Sequence, residues 1–180
     1  DGHTVCVVRE PGGTESGEQI RQLLKHGPDD LTPEAELLLM NASRAQLVQQ
    51  AIRPALAKGT VVLCDRFYDS SLAYQGYGRG LDLAKVQQAI DLAVGETKPS
   101  LTLLLDISLS VSQARVSGRQ QSTGEGRDQF DESGLAFFER VHAGFHALAK
   151  GEPGRYRVID GAQPPDAVGQ AVWDCVAPLL

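Results

Sequence analysis

The sequence predicts an α/β protein in which a parallel sheet is flanked by helices on both faces. Four short apolar segments are nearly continuous rather than alternating, which is typical of strands covered on both faces. Longer segments with helical periodicity lie between them, and this order favours parallel strands joined by crossover helices. Neither a linker nor an internal repeat interrupts the 180 residues. We therefore predict one domain over residues 1–180.

The predicted strands cover residues 4–9, 60–64, 101–107 and 156–159. The first helix is predicted over residues 15–26, with Ser16 and Gln19 as a capping box. The second begins at Pro33, a favourable first position, and is expected to bend or end at Pro54. The remaining helices are predicted over residues 82–94, 108–118, 131–150 and 165–179.

Composition and charge exclude several classes of protein. Hydrophobic residues make up 42% of the chain, yet no apolar run approaches the roughly 20 residues of a membrane helix. Residues 1–4 do not resemble a signal peptide. A net charge of −6 argues against nucleic-acid binding. Three scattered cysteines argue against a disulfide framework or a zinc site and fit a reducing compartment. We expect a soluble cytoplasmic protein without nucleic-acid or membrane partners.

Two glycine-rich segments interrupt the helical pattern, at residues 76–80 and 117–126. We interpret the first as a glycine-rich loop. The second is polar and is accompanied by Arg115, Arg119 and Arg127. We interpret it as a mobile loop between two helices.

Candidate ligand-binding residues follow the first two strands, because ligands of parallel sheets bind beyond the carboxyl ends of the strands. Residues 9–14 (REPGGT) lie between a strand and a helix, so they either bring backbone N–H groups to an anion or form a tight turn. Asp65 and Arg66 follow the second strand. They could hold a metal through water and clamp a phosphate, or they could pair with each other.

A second group of candidates lies on and after the second helix. Arg44 stands four residues after Met40 on an otherwise apolar face. It either reaches water or reads the polar edge of a ligand held against Met40. Ser71, Tyr74 and Gln75 adjoin the glycine-rich segment, where they would line a pocket or form a surface turn.

Several of these motifs occur together in a fixed order. They are residues 9–14 (REPGGT), 37–39 (LLL) with Arg44, 62–67 (VLCDRF), 69–76 (DSSLAYQG), 78–80 (GRG), 98–106 (KPSLTLLLD) and 158–160 (VID). In order and spacing the chain resembles bacterial thymidylate kinases (dTMP kinases) from its first predicted strand to its last helix. The resemblance implies a P-loop nucleoside-monophosphate kinase fold that forms homodimers. It also implies transfer of a phosphoryl group from ATP to dTMP with Mg²⁺, which gives dTDP and ADP in dTTP synthesis.

The same resemblance implies roles for individual residues. The dTMP site would comprise Glu10, Arg21, Met40, Arg44, Arg66, Ser71, Tyr74 and Gln75. Arg66 would grip the phosphate, and Arg44 would bond the thymine edge. Ser71 and Gln75 would line the base, and Tyr74 would crowd out a 2′-hydroxyl. Glu10 and Arg21 would lie near the sugar and phosphate.

The phosphoryl-transfer machinery is implied in the same way. Asp65 would lie near the magnesium and hold it through water. A lid over about residues 117–128 would close on ATP, with Arg119 or Arg127 as a catalytic arginine. Phosphoryl transfer needs mainly positioning and charge neutralisation, which arginines and a metal supply.

Three features depart from the family pattern. The family's strand and G-x-x-x-x-G-K-[ST] loop, which holds ATP phosphates, has no counterpart in these 180 residues, which contain no Gly-Lys pair. We expect that segment to lie ahead of residue 1, and a chain beginning at residue 1 to bind dTMP without transferring phosphate. Met40 replaces a stacking phenylalanine, and Gln129 replaces a lid arginine for which Arg127 could substitute. Two alternatives therefore remain: a non-catalytic nucleotide-binding relic, or a kinase for another nucleoside monophosphate.

Overall fold

The computed structural model describes residues 2–28, 30–123 and 134–180, and of residues 117–123 it describes the backbone only. The chain forms two compact units. The first comprises Asp1–Lys98 and Asp128–Gly144, and the second comprises Pro99–Arg127 and Phe145–Leu180. One domain over residues 1–180 stays a prediction.

The first unit holds β1 (Val5–Arg9), α1 (Glu15–His26), α2 (Pro33–Leu47), a π-helical turn (Val48–Ile52), α3 (Arg53–Leu56), β2 (Val61–Asp65), α4 (Asp69–Ser71), a π-helical segment (Leu72–Gly78) and α5 (Leu83–Val94). The second holds β3 (Thr102–Asp106), α6 (Leu109–Thr123), β4 (Tyr156–Asp160), α8 (Pro165–Val176) and a 3₁₀ turn (Ala177–Leu179). Helix α7 (Leu135–Gly151) begins in the first unit and ends in the second. Among the described residues, no helix is long and apolar enough to cross a membrane.

Parallel strand pairing is confirmed in both units. Strand β1 pairs with β2 from Val5–Val61 to Arg9–Asp65, and β3 pairs with β4 in the same way. One face of β1 and β2 nevertheless carries exposed apolar side chains. Val5 and Val7 are 49% and 74% exposed, and Leu63, the register partner of Val7, is 47% exposed. Side chains alternate along a strand, so these residues share one uncovered face.

Helix starts follow local capping chemistry. Helix α2 begins at Pro33 as predicted, with Thr32 Oγ1 accepting a hydrogen bond from the Ala35 N–H. The capping box at Ser16 is wrong, because Thr14 caps α1 instead. Thr14 has extended backbone geometry, and its Oγ1 accepts from the Gly17 N–H at 3.0 Å.

Helical conformation does not end at Pro54, contrary to one of the two predicted outcomes, and the predicted bend there stays a prediction. Right-handed helical geometry continues through Val48–Ile52 to Leu56. The π-helical turn precedes Pro54, which therefore falls in the first turn of α3. The π-helical turn immediately before Pro54 changes the hydrogen-bond spacing at the point where proline removes a donor.

The prediction of a loop at residues 76–80 is wrong for residues 76–78. Residues Leu72–Gly78 form a π-helical segment, and the chain leaves it at Gly80, whose φ is +81°. A Cβ on Gly76 would lie 2.5 Å from Leu83 Cδ2, and one on Gly78 would lie 2.6 Å from Phe137 Cε2. The glycines thus allow close packing within a helix rather than a flexible loop.

Helix α6 runs five residues further than predicted, to Thr123 rather than 118. Residues 117–123, which we expected to form a polar loop, therefore continue the helix. Gly118 is tolerated inside a helix at a cost of about 1 kcal/mol. Residues 124–128, the rest of the expected lid, lie outside the described residues.

The core of the first unit lies among α1, α2 and α5. Leu24, Leu47, Val86 and Ile90 are at most 1% exposed there. Burial of each of these side chains contributes about 1.5–3 kcal/mol. This packing holds α2 against α5 and the π-helical segment, and so places polar residues of α2 beside those of residues 69–79.

Candidate active site

The turn after β1 is tied down on every side. The Gly12 N–H donates to Ser43 Oγ at 3.0 Å, and the Gly13 N–H donates to Glu18 Oε1 at 2.8 Å. The carbonyl of Pro11 accepts from Arg21 Nη1 at 3.0 Å. Because both glycine N–H groups have protein partners, the structure favours the tight turn over a backbone anion site.

This turn delivers Glu10 to Arg44 on α2. The Glu10 carboxylate accepts from Arg44 Nη2 at 2.8 Å and from Arg44 Nε at 2.9 Å. Burial raises the pKa of Glu10, and the Arg44 guanidinium opposes that shift. Neither side chain is more than 5% exposed, so the pair fixes the turn to α2 away from water.

Arg44 also contacts two polar side chains. Its Nη1 donates to Asn41 Oδ1 at 2.7 Å and to Ser71 Oγ at 3.0 Å. A guanidinium carries five N–H groups. Hydrogen bonds to Glu10, Asn41 and Ser71 engage four of these N–H groups and leave one Nη2 N–H without a partner among the described residues.

Two rows of side chains, each with polar residues, face each other within the first unit. Glu36, Met40 and Arg44 are spaced four residues apart on α2. Ser71, Gln75 and Arg79 have the same spacing along the other segment. Arg44 bonds Ser71, and Glu36 bonds both Gln75 and Arg79. Met40 is half-buried, and on α2 it lies between these two polar clusters.

Arg66 has an unusual backbone. Its φ is +64°, in the left-handed region that non-glycine residues seldom adopt. The Cys64 thiol donates to the Arg66 carbonyl at 2.9 Å, and burial raises the pKa of that thiol to about 12. Such strain collects at functional sites. Arg66 is exposed and directly follows the carboxyl end of β2.

Aromatic rings line the space beside Arg66. Its guanidinium carbon lies 5.1 Å from the centre of the Tyr74 ring. The Tyr74 ring in turn meets Phe137 edge-on at 6.0 Å, and Arg79 stacks over Phe137 at 4.6 Å. Cation–π contacts of this kind hold arginines in place while leaving N–H edges to bind anions.

The structure joins some of the predicted site residues and leaves others apart. Glu10, Arg44 and Ser71 form one hydrogen-bonded cluster, and Arg66 contacts Tyr74. Gln75 belongs to the Glu36 cluster, Arg21 braces the turn and Asp65 is exposed at the end of β2. The side chain of Arg119 and all of Arg127 lie outside the described part of the chain.

Sequence reasoning missed Glu36, Asn41 and Arg79. Glu36 carried a signal, because an acid four residues before Met40 interrupts the apolar face of α2. Arg79 lies in the GRG motif at residues 78–80, but the glycines around it suggested a loop rather than a helix.

These features define an α/β protein whose candidate ligand site lies where the polypeptide leaves parallel strands. A family model described as thymidylate kinase matches residues 1–172. A thymidylate kinase of Solidesulfovibrio magneticus is 47% identical over 182 residues, 99% of this chain and 87% of that protein. One from Synechococcus sp. (strain JA-3-3Ab) is 48% identical, over 100% of this chain and 84% of that protein.

A solved structure agrees with these relatives. The crystal structure of thymidylate kinase from Ehrlichia chaffeensis matches with a TM-score of 0.75 and 31% identity. The match covers 97% of this chain and 80% of that one. The chain belongs to the thymidylate kinase family, as its motifs indicated, and the predicted α/β fold class is confirmed.

Proposed function

We propose that this protein carries out the thymidylate kinase reaction, transfer of a phosphoryl group from ATP to dTMP for dTTP synthesis, and that dTMP binds in the first unit. The observation that carries the site is the pair of buried polar clusters on either side of Met40. One contains Arg44 and Ser71, and the other contains Glu36 and Gln75. A pyrimidine has two polar edges and an apolar face, which suits this arrangement.

We assign binding of the thymine base to Met40 and its polar neighbours. The remaining N–H of Arg44 Nη2 supports a hydrogen bond to a carbonyl of the thymine. Ser71 and Gln75 lie one helical turn apart and line the same side. The flexible Met40 thioether packs against the ring in place of an aromatic residue.

The phosphate is assigned to Arg66, with Arg21 and Glu10 nearby. Arg66 is exposed at the end of β2, and its planar guanidinium can hold two phosphate oxygens. The Tyr74 ring beside it supports a role against the deoxyribose, where it excludes a 2′-hydroxyl. Glu10 acts by fixing Arg44 rather than by meeting the anion.

The transfer step requires further charge neutralisation. We assign Arg119 or Arg127 to the ATP side as a catalytic arginine of a lid over about residues 117–128. An exposed carboxylate at a strand end is a donor that Mg²⁺ accepts, usually with several waters retained, so Asp65 fits a water-mediated magnesium ligand. The ion would neutralise phosphate charge when bound.

Assembly and location complete the proposal. Leu38 on α2 and Leu92 on α5 are 63% and 90% exposed, and these two helices pack together. Apolar exposure of this kind supports a homodimer. Three free cysteines support a cytoplasmic location.

The experiment is steady-state kinetics of Arg66 variants of the full-length protein with ATP and dTMP. Arg66→Ala should lower kcat/KM at least about thirtyfold, the lower bound for loss of a charge that binds an anion. Arg66→Gly should lower it equally, and it suits the backbone at φ +64°, so strain cannot account for the loss. Arg157→Ala, at an exposed arginine of β4, is the matched control. A kcat/KM within about threefold of wild type would remove Arg66 from the site.

A further inference from the structure

Glu36 is a buried carboxylate whose role in the proposed reaction has not been assigned above. It is 5% exposed, and both its oxygens accept hydrogen bonds. Oε1 accepts from Gln75 Nε2 at 2.7 Å, and Oε2 accepts from Arg79 Nη2 at 3.0 Å. The guanidinium of Arg79 is itself stacked over Phe137. These contacts fix the position of the carboxylate, and its oxygens act only as hydrogen-bond acceptors.

Because the Glu36 carboxylate only accepts hydrogen bonds, it determines which way the Gln75 amide faces. A side-chain amide offers an N–H₂ donor on one side and an oxygen acceptor on the other. A carboxylate paired with an arginine has no proton to donate, so only the N–H₂ group of Gln75 can face Glu36. The Oε1 atom of Gln75 must then point to the opposite side.

This Oε1 atom is unsatisfied in the protein. Gln75 is fully buried, and its Oε1 has no hydrogen-bond partner among the described residues. A buried acceptor without a donor is rare and calls for an explanation. Ser71, one turn earlier, bonds Arg44, so Gln75 borders the subsite assigned to the base.

We propose that Glu36 is a positioning residue that sets base specificity by holding Nε2 of Gln75 and so presenting Oε1 to an N–H donor of the base. This inference rests on the proposed dTMP site. Thymine carries a proton on N3, whereas cytosine has a lone pair there. The orientation imposed by Glu36 therefore favours an imide ring and opposes a cytosine ring.

The test measures binding of dTMP and 5-methyl-dCMP to the full chain by isothermal titration calorimetry. The two ligands share the 5-methyl group and differ at N3 and at the 4-substituent. In Glu36→Gln the new amide can donate as well as accept, so Gln75 is free to turn its N–H₂ group toward the ligand. The preference for dTMP should fall about tenfold, the effect of one hydrogen bond. Glu34→Gln removes the same charge from an exposed position of α2 and should leave the preference unchanged.

A double-variant cycle separates positioning from a structural role. If Glu36 acts through Gln75, Glu36→Gln should have no further effect on the preference when Gln75 is already alanine. A merely structural role would lower the affinity for both ligands equally and would persist in the Gln75→Ala background. The proposal is overturned if Glu36→Gln lowers the affinity for both ligands equally, or if its effect persists in the Gln75→Ala background.

Two further variants keep the outcome decisive. Should Glu36→Gln not fold, Glu36→Asp retains the charge for Arg79 but withdraws the carboxylate from Gln75, and it should also lower the preference. An unchanged preference in a folded Glu36→Asp or Glu36→Gln protein contradicts the inference. If Gln75→Ala itself changes neither affinity nor preference, the assignment of the dTMP site has failed instead.

Discussion

Glu10 and Arg44 form an ion pair whose side chains are 5% and 2% exposed. Burial of two charges carries a large desolvation cost, and their mutual attraction offsets it only when the geometry is good and the other donors are bonded. Asn41 and Ser71 supply those further bonds to Arg44. The pair therefore contributes position more than stability, since it sets the guanidinium in the plane that the proposed base subsite requires.

Glu10→Gln should lower the free energy of unfolding by about 3 kcal/mol, because it leaves the Arg44 charge buried without a counter-charge. Urea denaturation measures this change. Glu34→Gln, at an exposed glutamate of α2, should change stability by no more than about 0.5 kcal/mol. Equal effects of the two substitutions would show that the buried Arg44 charge does not depend on the Glu10 carboxylate for its stability.

At the scale of elements, Glu18 links the REPGGT turn to the first turn of α1. Its Oε1 accepts from the Gly13 N–H at 2.8 Å and from Arg9 Nη2 at 2.9 Å. The Gly13 hydrogen bond is the main cause that lowers the pKa of Glu18, with Arg9 adding to it. The carboxylate form is thus the one that holds the turn against the helix.

The lowered pKa predicts an acid-sensitive link. The unfolded chain takes up a proton near the ordinary value of 4.5, while folded Glu18 takes it up at lower pH. The stabilisation is therefore fully present above that value and is lost as pH falls through the folded pKa. The stability advantage of wild type over Glu18→Gln should be larger at about pH 7 than at about pH 3, by urea denaturation at each pH. A difference that does not depend on pH would contradict the link.

At the scale of the whole molecule, exposed apolar side chains bear on assembly. Leu38 and Leu92 extend from two helices that pack on each other, and both are more than half exposed. Isolated exposed leucines are common, but two on adjoining helices suit a self-complementary surface.

Light scattering on the purified protein should therefore give about twice the mass that mass spectrometry gives for one chain. The double substitution Leu38→Glu with Leu92→Glu should shift the mass toward one chain, because like charges would meet across a two-fold interface. Leu179→Glu, at another exposed leucine of the chain, is the control. A wild-type mass of a single chain would refute the dimer, and an unchanged mass in the double variant would move the interface elsewhere.

The amino-acid sequence by itself determined the α/β class, the parallel strand pairing, the start of the second helix at Pro33, and the family. These depend on periodicity, caps and contiguous motifs, which act over a few residues. Only the tertiary structure decided that Gly76 and Gly78 lie in a helix, because close packing against Leu83 and Phe137 outweighs their weak helical propensity. It also decided the distant partners of Arg44 and Glu36, which lie 27 to 43 residues away. Such pairings depend on which faces meet after folding, and no local pattern records that.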